Sequence, residues 1–166
     1  MIQDKAQAGF VYTVEEIRGG QVVSTQIAHN ILPVQGVNHM LDVLAKGGTQ
    51  IESWYLMLYE NDYAPVSTDV AATFPSLAGE STAYVSPTRH EIQFGNITGG
   101  SLSNVGSRIE VEFTADRTIR GGAIVSTAAK GSTAGILLSA VRFPSPRQVD
   151  ANTILRVTAG IQIVSA

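Results

Sequence analysis

One stretch of this chain repeats its apolar residues with a helical period, while nearly everything else alternates with a period of two. Val37, Met40, Leu41 and Leu44 fall at i, i+3, i+4 and i+7, one face of an α-helix. Asn38, Asp42 and Lys46 fall mostly on the other face. Pro33 precedes the pattern, where a missing N–H is harmless, and Gly47-Gly48 follow it, where φ > 0 can close the last carbonyls. The spacing predicts a helix over residues 35–46, about 18 Å long. Burying its four apolar side chains contributes roughly 6–12 kcal/mol before the entropy of ordering is subtracted. A lone helix among strands is expected to plug a sheet or the open end of a sandwich. Directly after it, Trp54-Tyr55-Leu56-Met57-Leu58-Tyr59 is the most apolar and aromatic run of the chain. It is too short to span a membrane and suits a central strand buried on both faces.

The rest reads as strands and turns. Residues 9–18 and 21–30 flank Gly19-Gly20, a pair able to take φ > 0, so a β-hairpin is expected. Residues 61–87 hold Pro65, Pro75 and Pro87 and are long for an unstructured loop. They read as a lid over the sandwich or as an interaction loop, with a helical turn at 68–74 capped by Thr68 and an edge strand at 82–85. His90, Ile92 and Phe94 alternate with Glu91 and Gln93; Ile109, Val111 and Phe113 alternate with Arg108, Glu110 and Glu112. Gly121-Gly122 predicts a bulge or kink. A strand over 136–143 is expected to end at Pro144 and Pro146, and Leu155, Val157, Ala159, Ile161 and Ile163 line one face of a last strand. The sum is an all-β chain, a β-sandwich of about eight strands with one amphipathic helix. Residues 1–8 are expected to be a flexible N-terminal arm, free or ordered on a neighbour, with 9–166 a single domain.

Composition narrows the chemistry. Charged residues make up 15% of the chain, against about 25% in ordinary soluble domains. Such a surface suits a protein whose faces meet other protein; it equally suits a neutral β-domain with short polar turns. A net charge of −3 argues against a general nucleic-acid binder. There is no cysteine, which removes thiolate chemistry and Cys-based metal sites. Neither an apolar leader nor an eighteen-residue apolar run is present, so the expectation is a soluble chain made in a cytoplasm. His29, His39 and His90 have no metal-ligand spacing, and no serine sits in GxSxG. Lys130-Gly131-Ser132-Thr133 has the wrong order for a phosphate loop. Glu110 and Glu112 share a strand face, as a hydrolase's carboxylates would, but beside Arg108 they read as solvated charges. No catalytic, cofactor-binding or metal residue is assigned, and the chain is not expected to be an enzyme. Tyr63 and Trp54 are the aromatics for a glycan groove, the alternative reading as a tail- or fibre-associated module.

Several segments together resemble the cement, or decoration, proteins on capsids of short-tailed bacteriophages. They are His29-Asn30-Ile31-Leu32, Gln35-Gly36-Val37-Asn38-His39-Met40-Leu41-Asp42, Gly47-Gly48-Thr49-Gln50 and Trp54-Tyr55-Leu56. Later come Gly121-Gly122-Ala123 with Ser126-Thr127, the turn at 131–135 and Asp150-Ala151-Asn152-Thr153. The resemblance implies a jelly-roll-like sandwich on the virion's capsid surface, bridging major capsid protein subunits, without catalysis. On such a shell, closed symmetry favours self-association as a homodimer or homotrimer, and from charge and hydropathy no nucleic-acid or membrane partner is expected. Ile2, Gln3, Lys5, Tyr63, Phe74 and Tyr84 are the expected partner-interface residues, along with exposed parts of the first hairpin.

Overall fold

The computed structural model describes residues 6–165. Nine strands and two helices follow one another as β1 (Ala6–Arg18), β2 (Gln21–His29), α1 (Val34–Ala45), β3 (Tyr55–Tyr59), α2 (Phe74–Ala78), β4 (His90–Glu91), β5 (Ser101–Ser103), β6 (Ile109–Glu112), β7 (Arg117–Val125), β8 (Leu137–Val149) and β9 (Thr153–Ser165). They form two antiparallel sheets. The first runs β2-β1-β9, with β5 and β6 both on the far edge of β9; the second runs β4-β3-β7-β8. The first strand thus lies beside the last, a jelly-roll-like trait, and the whole is an all-β sandwich. β1 begins at Ala6, inside the stretch expected to be an arm, and pairs there with the end of β9. The remainder of that expected arm lies outside the described residues.

Period-two patterning decides which side chains face inward. Phe10, Tyr12 and Val14 of β1 and Leu155, Val157 and Ala159 of β9 meet Leu56 and Leu58 of β3 in the core between the sheets. β6 alternates buried and exposed as its sequence requires. Ile163, expected on the buried face of β9, is 53% exposed because β9 runs on past the end of the core. β5 and β6 act as one interrupted strand. Between them the buried Asn104 side chain accepts from the Ala159 N–H at 2.7 Å, standing in for the missing backbone. The hairpin turn is as expected, with Gly19 and Gly20 at φ 55° and 77°.

The central strand is buried on both faces. Met57 and Tyr59 point away from the inner core and pack with Ala71, Phe74 and Ala78 from the 61–87 excursion, which is a lid on the second sheet. The helix in that lid begins at Phe74, where the expected turn was to end. Asp69 explains the shift: its carboxylate accepts from the Val66 N–H and the Tyr63 hydroxyl, closing a turn, and Pro75 then opens α2. Residues 82–85 form an isolated pairing of Tyr84 with Phe113 instead of a strand.

Two expectations fail for reasons of long-range packing. β8 does not stop at Phe143 but continues through both prolines to Val149. Its register on β7 jumps from Ile119↔Arg147 to Gly121↔Arg142, so residues 143–146 bulge opposite Arg120. The strand is also a sheet edge, where a missing N–H breaks no ladder. The Gln26 amide then bonds both the N–H and the carbonyl of Ser145. The helix, found at Val34–Ala45, hardly buries its predicted face: Leu41 is 54% and Leu44 82% exposed. Gly36 is the cause. A Cβ there would lie 2.6 Å from the Leu138 carbonyl oxygen, so the helix backbone itself rests on β8. Gly36, Met40 and Val43 turn inward together, and Leu41 is carried to the far side. Met40, Leu32 and Trp54 close the adjacent end of the inner core.

Candidate interaction surface

The chemistry-bearing residues are dispersed or used internally. Among the described residues, no group of three or more His, Asp or Glu is placed to hold a metal ion. His29 is exposed, His39 stands edge-on to Trp54 at 5.9 Å, and His90 lies against Tyr84 at 5.5 Å. Glu110 is paired with Arg156 at 2.7 Å on the outer face of the first sheet. An open polar cleft of about 420 Å³ is lined by Glu60, Asn61, Asp116, Arg117, Thr118, Arg120 and Gln148. It carries both signs of charge and no aromatic platform.

The most elaborate polar cluster anchors the lid. Arg89, fully buried, grips Glu80 in a two-pronged pair at 2.6 and 2.8 Å. It also donates to the Thr127 carbonyl and hydroxyl and to the Ser132 carbonyl. The Gly131 N–H donates to the same Glu80 carboxylate. Lys130 donates to the carbonyls of Thr82 and Tyr84 and lies 3.7 Å above the Tyr84 ring. Burial lowers the Lys130 pKa; burial, then the Lys130 charge, lowers that of His90. The turn at Lys130-Gly131-Ser132 thus ties the 127–132 loop to the lid.

The expected interface residues divide accordingly. Ile2, Gln3 and Lys5 lie outside the described residues. Phe74 is fully buried, edge-on to Tyr59 and Tyr63, and Tyr84 is buried under Lys130, so neither is presented to a partner. Phe74 anchors the lid and Tyr84 packs into the inner core, and aromatic composition alone does not separate an anchor from a contact. Tyr63 is half-buried, and its hydrogen bond to Asp69 holds its phenol up at about 12. Trp54 packs against the inner core and Tyr63 against the lid cluster.

The structure instead concentrates exposed apolar surface elsewhere. Among the described residues, fourteen large apolar side chains are exposed, and seven of them fall between residues 22 and 44. Val22, Val23 and Ile27 lie on β2, Ile31 on the connection, and Val34, Leu41 and Leu44 on α1. Gln26 reaches across to Ser145 of β8, and Ile31 exchanges two backbone bonds with Ala140. These contacts place β2 and α1 along one margin of the sandwich. The margin is nearly free of charge: β2 has none, and α1 carries only Asp42. The hairpin part was legible as uncharged apolar sequence; the α1 part was hidden, because the same residues read as a core face. No protein-family model matches this chain, and no curated protein matches it.

Proposed function

We propose that this chain is a non-enzymatic virion structural protein, a cement protein that binds the outside of a tailed-phage capsid and bridges major capsid protein subunits. The observation that carries the reading is the margin of β2 and α1, nearly free of charge, which carries half of the large exposed apolar side chains among the described residues. Isolated exposed apolar residues are ordinary, whereas a concentration of them marks a surface that meets another protein. The low charge content and the resemblance of segments from residues 29–56 and 121–153 support the same reading. A sandwich whose lid is held by a buried ion pair suits the role.

Bridging works by mass action. Each copy binds the assembled shell and not separated subunits, so it stabilises the assembled state. A standard interface buries about 1,600 Å² in total, and many copies act together. The test is to mix purified chain with mature capsids and, separately, with fibre-bearing tails, and to image what binds by cryo-EM. Regular density spanning neighbouring capsid subunits is the expected result. Density confined to tails would replace the reading with a tail-associated module, and binding to neither would overturn both.

A further inference from the structure

We propose that a second copy of this chain pairs antiparallel with the free edge of β2, joining two first sheets into one continuous sheet. Among the described residues, the sheet edges differ in what covers them. The far side of β5 is closed by the Gly95 N–H, which donates to the Ser103 carbonyl at 2.9 Å. That of β6 is closed by residues 83–85, through Val85 to Glu112 and Thr114 to Ala83. β8 is closed by Ile31 and by the Gln26 amide, and it carries two prolines. β4 is two residues long. β2 has nine residues and pairs with β1 alone.

Register shows which groups of β2 face outward. The Asn30 N–H donates to the Phe10 carbonyl, so Asn30 and Phe10 form a bonded pair. Bonded and non-bonded pairs alternate in an antiparallel ladder. Ala28 and Gln26 therefore bond Tyr12 and Val14, while Thr25, Ile27 and His29 aim their N–H and C=O groups away from β1. The same parity appears across the sheet. Ala159, in register with Tyr12, turns its N–H from β1 to Asn104, and Ile163, in register with Ala8, turns its own to Gly100.

Edges of this length are usually guarded by lysine, proline or a bulge. Residues 21–29 contain no charge and no proline, and the one bulge leaves Val23 unpaired near the far end. Residues 24–29 remain regular. The occupant is a second copy because antiparallel pairing about a two-fold axis presents an edge to itself, and an uncharged edge meets no repulsion from its own copy. With the axis at Ile27, that residue, 58% exposed in the free chain, covers its own counterpart, and Thr25 faces His29 of the other copy.

The inference does not rest on capsid binding and is tested on the free chain. Sedimentation equilibrium should show a reversible species of twice 17.6 kDa. Thr25→Lys and Ile27→Lys should each weaken that dimer at least tenfold while leaving the circular dichroism of the monomer unchanged. The chain has no cysteine, so single-cysteine variants report one site each. Ile27→Cys should form a disulfide-linked dimer at least about tenfold faster than Ile97→Cys, an exposed site away from the edge, because pairing raises the local thiol concentration. A wild-type chain that stays monomeric to about 100 µM overturns the proposal, since stable pairs associate well below that. So does a dimer indifferent to both lysine substitutions, or equal cross-linking at residues 27 and 97.

Discussion

Replacing Arg89 by methionine should destabilise the protein by about 4 kcal/mol, and the structure shows why. The guanidinium is fully buried and donates to Glu80, Thr127 and Ser132. Without it, the Glu80 carboxylate, itself only 4% exposed, keeps the Gly131 N–H but loses its counter-charge. Breaking one side of a buried pair costs about 3–5 kcal/mol, and the orphaned carbonyls of Thr127 and Ser132 place this case in the upper half of that range. Domains of ordinary stability have about 5–15 kcal/mol in total, so the loss is large. Urea titration followed by the single tryptophan, Trp54, reads it directly. With a slope of about 2 kcal/mol per molar, the midpoint should fall by about 2 M. Hydrogen exchange should speed first at residues 74–81, where the lid is pinned. Glu80→Leu combined with Arg89→Met should cost much less than the sum of the single changes, because no unpaired charge remains. A midpoint shift under about 0.5 M for Arg89→Met, or simple additivity in the double variant, would refute the account of the lid as held by this pair.

Gly121→Ala should cost about 2–3 kcal/mol, measured by the same titration, because its Cβ would fall 2.2 Å from the Tyr59 ring and 2.3 Å from the Val141 carbonyl oxygen. His90 has a lowered pKa, so its neutral form adds stability that is present above about pH 6.5 and lost as the pH falls through the folded value. The urea midpoint of wild type should therefore drop more between pH 7.5 and 5 than that of His90→Phe. Alkaline spectrophotometric titration should show the Tyr63 phenol near 12, and Asp69→Asn should bring it down towards 10. Leu41→Lys with Leu44→Lys should change folding stability by less than about 0.5 kcal/mol, since both side chains are exposed, yet abolish capsid binding in a pull-down.

Some of this architecture is written locally. Alternation of apolar residues reports which side chains share a strand face, so the buried faces of β6 and most of β9 are legible from residue order, and the unbroken apolar run of β3 marks it as buried on both faces. A pair of glycines between strands and a helical period between Pro33 and Gly47 mark a hairpin and a helix for equally local reasons. What the helix touches is not local. Its period names the right residues as neighbours, but the inward face is chosen by the approach of Gly36 to Leu138, a contact across a hundred residues. The same holds for β8. Pro144 and Pro146 look like a strand end until the register jump opposite Arg120 and the reach of Gln26 make room for them. It holds for Phe74, buried where the lid closes over β3, and for Tyr84, buried in the inner core beside Phe113. Residue order therefore determined the class of fold, most of the elements and the sidedness of the regular strands, because those follow from backbone geometry and neighbours within a few positions. Tertiary structure alone decided which apolar residues remained outside, because exposure is settled by pairing between distant segments, and the margin of β2 and α1 exists only once the other long edges have found their cover.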